Sequence, residues 1–367
     1  MGLAGELGLA AVEETVAGST AVEAARPRRS QVLARRTLVA LAVIAVASVP
    51  FAVFAVISGQ VAASSWALLG GAAVVTNLII GGRTVAFLTV GLVTALTPIA
   101  IVSGAVPVAG AALMAIMCFG VGMSAAQGLN RGLMLIPMYL AFMIIAPPPW
   151  SGLTAVDRTS TSYLLWNMLF FGGGALWAAL VFPELLRRRN VPMPPRPEPW
   201  ERTDVLVHTI TITVLCTAST LGVLIWWPGS NGAWLVVTVL AVTQLGGSTN
   251  VKRTLDRLAG TIVGVGIAVT VASVTSSETV LLAIGLVLWV IVVVIALSPH
   301  SYFLWTVFVT PAVVLFTSSS IADVPKTDAQ RLGFTLIGCA LILLASGIAL
   351  GWAHYQKTHS PLSAAES

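Results

Sequence analysis

Charged residues are scarce in this 367-residue chain, where only 9% of positions are Asp, Glu, Lys or Arg. A soluble globular chain carries roughly 25% charged residues, so this one cannot cover a water-facing surface. Hydrophobic residues make up 57% of the chain, and its mean hydropathy is +0.94. The composition excludes secreted scaffolds, cytosolic enzymes, disordered proteins and coiled coils, and it predicts a membrane protein.

Residues with reactive or metal-binding side chains are also few, and they form no catalytic pattern. The three cysteines, Cys118, Cys216 and Cys339, lie inside apolar runs without the spacing of a disulfide framework or a metal site. No predicted crossing carries a carboxylate near its centre, and no glycine-rich run ends in the Lys-Ser/Thr of an ATP-binding loop. We therefore expect no enzyme activity, cofactor, metal or nucleic-acid partner, while the oligomeric state stays open.

Apolar runs recur along the chain and predict an all-α membrane bundle of about twelve helices in two similar halves. Some runs are shorter than the ~20 residues that a straight crossing needs. The predicted crossings are 37–58, 66–81, 84–103, 105–123, 132–146, 163–183, 205–227, 233–247, 258–275, 279–297, 302–320 and 332–353.

The N-terminal region lacks the pattern of a signal peptide, because its basic cluster follows an Ala-, Gly- and Glu-rich stretch and the first apolar run is long enough to cross. We expect residues 1–35 to form a mobile cytoplasmic tail and residues 354–367 a cytoplasmic C-terminal tail. With the N-terminus inside, sixteen of the nineteen Lys and Arg residues fall on the cytoplasmic side. This bias predicts a multi-pass protein of the inner or plasma membrane, and it leaves Arg158, Lys326 and Arg331 outside.

A segment rich in Pro and Arg, residues 184–204, divides the chain into membrane halves 36–183 and 205–353. Dense prolines favour extended, semi-rigid chain, so we expect a cytoplasmic linker there. The halves share a tryptophan that opens a crossing, an amide near the inner end of that crossing, and a proline inside a later one. These pairs are Trp66 and Trp234, Asn77 and Gln244, and Pro137 and Pro311.

A finer repeat lies within the second half, where the pattern Arg-Leu-x-x-Thr-x-x-Gly occurs twice. One copy runs from Arg257 through Thr261 to Gly264, and the other from Arg331 through Thr335 to Gly338. The pairs Trp234/Thr238 and Tyr302/Thr306 precede the two copies at matching positions. Because the copies lie three crossings apart, they enter from opposite sides and predict an inverted repeat, which transporters use to build a site near the membrane midplane.

The basic residues of this repeat are the leading site candidates. Arg257, Thr261 and Gly264 share one helix stripe with Gly260, and the small pair Gly260/Gly264 permits close helix approach. The stripe should therefore face protein, which turns Arg257 inward; Arg331 and Thr335 repeat the geometry. Such arginines attract anions, although they can also serve as anchors to lipid headgroups.

Other polar residues have two interpretations each. Asn77 and Gln244 can orient a substrate or join helices by hydrogen bonds. Asp204 and His208, four residues apart, are proton-coupling candidates or simply a solvated helix end. Asp256 is a further proton-coupling candidate, or a partner of Lys252 on the same helix face.

The stretch from Trp234 through Gln244, Lys252-Arg253 and Arg257-Leu-Ala-Gly-Thr-Ile-Val-Gly resembles the membrane module of the fusaric acid resistance protein-like family. Tyr302, Thr306 and the copy beginning at Arg331 are similar to its closing part. The resemblance covers about 205–353 and implies export of aromatic and other organic acids. Distantly related plant organic-anion channels would imply a pore between two six-helix units.

We therefore expect efflux of organic anions such as aromatic carboxylic acids, with Arg257 and Arg331 attracting the anion and Asn77 and Gln244 orienting it. The absence of an acid near the centre of a crossing argues against tight proton coupling. The alternative is a non-transporting membrane component that supports cell-envelope assembly through protein partners. A polar path between the halves would favour transport, and a dry apolar seam would favour the alternative.

Overall fold

A computed structural model describes residues 63–148, 158–188, 199–243, 250–275, 277–296, 301–317 and 324–359, with Pro50, Val53 and Ile57. Every regular element in these ranges is helical, which confirms the predicted all-α class. The predicted N-terminal tail, the crossing at 37–58 apart from three residues, most of the linker and Gln244 lie outside the described residues.

Ten helices, labelled here in chain order, organise the described part of the chain. They are α1 Ala63–Ser103, α2 Pro107–Met123, α3 Leu135–Ile145, α4 (Thr161–Asn167, a π-helical Met168–Gly172 and Gly173–Arg188), α5 Arg202–Trp226, α6 Ala233–Val242, α7 Asn250–Val274, α8 Glu278–Ala296, α9 Tyr302–Thr317 and α10 Val324–His359. A short helical turn, Asn130–Leu133, precedes α3.

Six stretches of these helices are long and apolar enough to cross a membrane. They are Gly81–Ser103, Pro107–Gln127, Thr161–Leu185, Arg202–Trp226, Asn250–Val274 and Val324–Ile348. Shorter apolar helices occur at Leu135–Ile145, Ala233–Val242, Ala283–Val292 and Tyr302–Leu315. The protein is thus a multi-pass membrane protein whose apolar helices contact the bilayer. No twelve-helix repeat is evident in the described ranges, so the count of twelve and the two similar halves stay predictions.

Helix α1 contains two antiparallel arms that reverse direction at Gly82. This residue has φ 77° and ψ −171°, a left-handed conformation that glycine adopts without steric cost. Gly174 of α4 packs against Ala67 on the first arm, and Gly172 packs against Thr94 on the second. Both arms therefore run along α4, as expected if 66–81 and 84–103 are separate crossings.

Two helices begin before the predicted crossings that they contain. Helix α7 begins at Asn250, ahead of the crossing at 258–275, and α10 begins at Val324, ahead of the crossing at 332–353. At the start of α10, Val324 packs with Ala268 of α7 and Val314 of α9. These earlier starts place Asp328 and Arg331 inside a helix.

Three helices of the second half pack against α10. They are α6, α7 and α9, and α7 also packs along α9. Contacts of α2 with α5 and of α3 with α6 join this group to the first half. The fold thus surrounds the repeat's arginines with helices.

At the end of α3, Arg158 donates hydrogen bonds to the carbonyls of Ile144 (3.0 Å) and Ile145 (3.4 Å), and its partial burial lowers its pKa from the ordinary value.

Candidate functional site

The two copies of the repeat pack crosswise, each arginine helix against the aromatic helix of the other copy. Gly338 of α10 lies against Thr238 and the Leu235 carbonyl of α6. Gly264 of α7 lies against Thr310 and the Val307 carbonyl of α9. The glycines of the repeat therefore let the helix backbones meet, as their small-residue spacing predicts.

Arg331 is held in place by an aromatic ring of the opposite copy and a carbonyl of its own copy. Its side chain is fully buried, and its guanidinium carbon lies 3.7 Å from the centroid of the Trp234 ring. Nη1 also donates a hydrogen bond to the Thr310 carbonyl at 3.1 Å. Trp234 itself is only 8% exposed, so it serves as a platform for a cation and not as a residue of the membrane interface.

Arg253, and not Arg257, makes the equivalent contact in the other copy. Its guanidinium carbon lies 4.2 Å from the centroid of the Tyr302 ring, and Nη2 donates to the Ala241 carbonyl at 3.4 Å. Gly260, seven residues after Arg253, packs against Thr306, just as Gly338, seven after Arg331, packs against Thr238. The structural register is therefore shifted by one helical turn from the register of the sequence pattern.

Arg257 has no equivalent in the other copy once this shift is applied. The residue at the matching place on α10 is Thr335, one turn after Arg331. Arg257 is 1% exposed, and its Nε finds no hydrogen-bond acceptor among the described residues. Its predicted interior orientation, and that of Arg331, is confirmed. Arg257 is thus a buried cation that the packing of the repeat does not require.

Several threonine hydroxyls around the arginines are available for hydrogen bonding. Buried helical threonines usually donate to the carbonyl four residues earlier, as Thr254 and Thr310 do at 2.7 and 2.9 Å. Thr261, Thr335 and Thr238 are fully buried, yet their hydroxyls have no partner within the described ranges. These hydroxyls can donate to a bound ligand or an ordered water.

Asp328 is a buried acid beside Arg331 that the sequence analysis missed. It is 1% exposed and lies one turn before Arg331 on α10, and neither carboxylate oxygen has a hydrogen-bond partner in the described structure. Asp328 is the fifth residue of α10, so it does not contradict the expectation that no crossing carries an acid near its centre. The signal that could have revealed it is the three-residue spacing to Arg331, which puts both on one helix face.

The electrostatic balance of this group is positive. Arg331 interacts attractively with Asp328 and repulsively with Arg257. No described acidic side chain comes within ion-pair distance of either arginine. With Asp328 ionised, two positive charges and one negative charge leave one positive charge in a water-poor interior. A buried net charge without a partner is costly, so the group is suited to an anion.

The remaining predicted site residues lie elsewhere or have other partners. Asn77 is buried, and its Nδ2 donates to the carbonyls of Ala73 (3.0 Å) and Gly132 (3.3 Å), so its amide joins α1 to the turn before α3. This contact supports the helix-joining interpretation. Gln244 lies outside the described residues.

The predicted proton-coupling pair is not brought together. Asp204 is exposed at the start of α5, whereas His208 is buried, with Nε2 unpartnered in the described structure. No hydrogen bond between the two is present in this part of the chain. Asp256 is half-buried on α7 and forms no ion pair with Lys252 among the described side chains. The described residues also contain no group of three His, Cys, Asp or Glu that could hold a metal ion.

Fold and site together define a multi-pass membrane protein with a buried cationic group in its second half. Residues 212–345 match the sequence model of the fusaric acid resistance protein-like family. The match spans α5 to α10, including both copies of the repeat, and it confirms the resemblance for this segment; it suggests a membrane transporter. No match was found among curated proteins or among solved structures.

Proposed function

We propose that this protein transports organic anions, aromatic carboxylates in particular, out of the cell across the inner or plasma membrane. The main observation behind this proposal is that Arg257 is a buried cation with no acidic partner in the described structure. A carboxylate would supply the missing negative charge and accept hydrogen bonds from the guanidinium. The family match adds the transporter class.

The contacts of the two arginines suggest different roles. Arg331 is positioned by Trp234 and by the Thr310 carbonyl, while its Nε and Nη2 have no partner in the described structure. Arg257 has neither an aromatic ring under its guanidinium nor a hydrogen bond to a carbonyl among the described residues, so it is the better candidate for direct contact with the anion. The hydroxyls of Thr261 and Thr335 lie on the same inward stripes as the arginines and can donate to a carboxylate oxygen. The arrangement supports binding of a carboxylate by Arg257, with Arg331 adding positive charge nearby.

Buried polar groups occur both along the contact of α2 with α5 and around Arg257. Thr209 of α5 packs against Gly122 of α2, and the buried hydroxyl of Thr220 on α5 has no partner in the described structure. Unpartnered polar atoms around Arg257 belong to α6, α7 and α10. Buried polar groups of this kind support transport over the alternative role in envelope assembly, which a uniformly apolar seam would favour.

We propose that the chain crosses the membrane twelve times in two similar halves, with both termini and the 184–204 linker in the cytoplasm. Support comes from the excess of basic residues on one side and from the helix reversal at Gly82. The contact of α1 with α4 in the first half also parallels the contacts of α6 and α7 with α10 in the second. The domain boundaries 36–183 and 205–353 follow from this arrangement.

Transport is tested with the purified full-length chain in liposomes loaded with radiolabelled terephthalate. This aromatic dicarboxylate stays ionised near pH 7 because carboxyl groups titrate at about pH 4, so it crosses lipid alone slowly. We expect release that depends on the protein. A parallel resistance screen of deletion and overexpression strains against a panel of carboxylic acids tests the substrate class.

The variant Arg257→Gln links the flux to the site. Hydrogen bonds to charged groups contribute about 1.5–3 kcal/mol, so we expect flux to fall about tenfold or more at equal protein content. Arg187→Gln is the matched control, because Arg187 is exposed and pairs with Glu184 at 2.9 Å. Equal flux in Arg257→Gln and wild type would remove Arg257 from the site. The absence of terephthalate release, together with unchanged resistance to every acid in the panel, would contradict the proposed function.

A further inference from the structure

Asp328 carries a consequence beyond anion binding, because it combines deep burial with an absence of bonding partners. Both carboxylate oxygens lack hydrogen bonds in the described structure, and the side chain is 1% exposed. Buried carboxylates in native proteins are normally hydrogen-bonded or paired. A group that satisfies neither condition can be neutralised by a proton.

The charged surroundings of Asp328 are simple. On its own helix, Arg331 is the nearby cation, and Lys326 is exposed. Helix α6 has no titratable side chain, and α9 has only Tyr302, whose ring lies under Arg253. On α7, Arg257 acts on Arg331, while Lys252 is exposed and Asp256 is half-buried. The state of Asp328 therefore sets the net charge that the two arginines present.

We propose that Asp328 binds a proton together with the transported anion, an inference that rests on the proposed function. Ionised Asp328 competes with a carboxylate for the positive potential of Arg331 and Arg257. When a proton adds to one carboxylate oxygen, the net charge of the three side chains rises from +1 to +2. Proton binding then strengthens anion binding, and by linkage the bound anion strengthens proton binding.

The position of Asp328 gives the proton and the anion separate ways into the site in the proposed topology. Helix α10 enters from the outer side, so Asp328 lies on the outer side of Arg331, whereas Arg257 lies nearer the inner end of α7. A proton from outside therefore reaches Asp328 without passing the anion at Arg257. Because each ligand strengthens the binding of the other, the loaded site holds both at the same time.

The test measures terephthalate flux at several concentrations from about pH 6 to about pH 8, where the probe itself stays ionised. In wild type we expect the apparent KM to fall by roughly fivefold or more as the pH is lowered, at the lower end of typical coupling between sites. Asp328→Asn mimics the protonated state and should show a low KM that no longer depends on pH. Asp328→Glu should restore the dependence, and Glu201→Gln, at an exposed acid, should behave as wild type.

A second measurement uses the wild-type chain alone, so it does not depend on the folding of a variant. Dicyclohexylcarbodiimide reacts with protonated carboxyl groups in apolar surroundings, and mass spectrometry identifies the labelled residue. We expect labelling of Asp328 to rise as the pH is lowered over the same range. Terephthalate flux with the same pH dependence in Asp328→Asn as in wild type, or labelling that does not change with pH, would overturn the role of Asp328 and leave anion transport intact. If neither the wild type nor any variant showed terephthalate flux, the proposed function itself would be contradicted.

Discussion

Arg331 of one repeat copy lies over the ring of Trp234 in the other copy, with 3.7 Å between the guanidinium carbon and the ring centroid. Arg253 and Tyr302 make the reciprocal contact at 4.2 Å. Each copy thus supplies an aromatic platform for a cation of the other. The two contacts hold four helices in register and leave Arg257 as the additional cation.

The Arg331–Trp234 contact should contribute measurably to stability. A desolvated cation–π contact is worth up to about 2 kcal/mol. We expect a double-mutant cycle with Arg331→Gln and Trp234→Leu to give a coupling of about 1–2 kcal/mol in the free energy of unfolding in detergent. The pair Arg187→Gln and Trp234→Leu serves as control and should be additive. Additivity in the first cycle as well would show that the stacking carries no net stability.

Glycine at position 264 should be required for the packing of α7 on α9. A Cβ there would lie 2.6 Å from Thr310 Cβ and 2.8 Å from the Val307 carbonyl, so Gly264→Ala forces the helices apart. We expect a loss of about 1–3 kcal/mol, measured as a lower thermal midpoint. Gly266→Ala, on the same helix with nothing within 4 Å of the added Cβ, is the matched control. It should be neutral or stabilising, since alanine favours helix by about 1 kcal/mol.

Cys118 and Cys216 should form a disulfide on oxidation, because their side chains interact across the contact of α2 with α5. With a protease site inserted in the 184–204 linker, oxidised and cleaved protein should remain a single band on a non-reducing gel. The band should separate into two halves after reduction, or when Cys216→Ser is present. Separation without reduction in the oxidised wild-type cysteine background would contradict the packing of these helices.

The orientation in the membrane is checked with reporter fusions. Because sixteen of nineteen basic residues fall on one side in the predicted arrangement, fusions at Arg196 and near Ser360 should give cytoplasmic reporter activity. A fusion at Arg158, predicted outside, provides the opposite signal in the same assay. Periplasmic activity at Arg196 or Ser360 would contradict the twelve-crossing arrangement.

Hydrophobic runs and repeated motifs were sufficient to predict the helices of the described part and the inward orientation of Arg257 and Arg331. Apolar length and small-residue spacing are local properties, so they can be read from sequence. The predicted crossing at 332–353 leaves out the first turns of α10 because Lys326 to Gln330 is polar, whereas contacts of Val324 with α7 and α9 support a helix there.

The register of the repeat could not be obtained from the sequence either. The pattern aligns Arg331 with Arg257, but the packing of Gly338 on Thr238 and of Gly260 on Thr306 pairs Arg331 with Arg253. Which turn of a helix meets its neighbour depends on interhelical contacts that no local motif encodes. For the same reason, the isolation of Arg257 and the burial of Asp328 became visible only in three dimensions.

The shortness of α6 has a consequence for biogenesis. Its ten residues span about 15 Å at 1.5 Å per residue, roughly half of a ~30 Å hydrocarbon core. Backbone groups at the end of such a helix cannot stay unsatisfied in lipid, so α6 needs its protein neighbours to be stable in the bilayer. One of them, α10, is synthesised last among the described helices. The cationic group is therefore completed only when the C-terminal helix inserts, and a chain interrupted before α10 would lack Arg331 and one of the helices that cover α6.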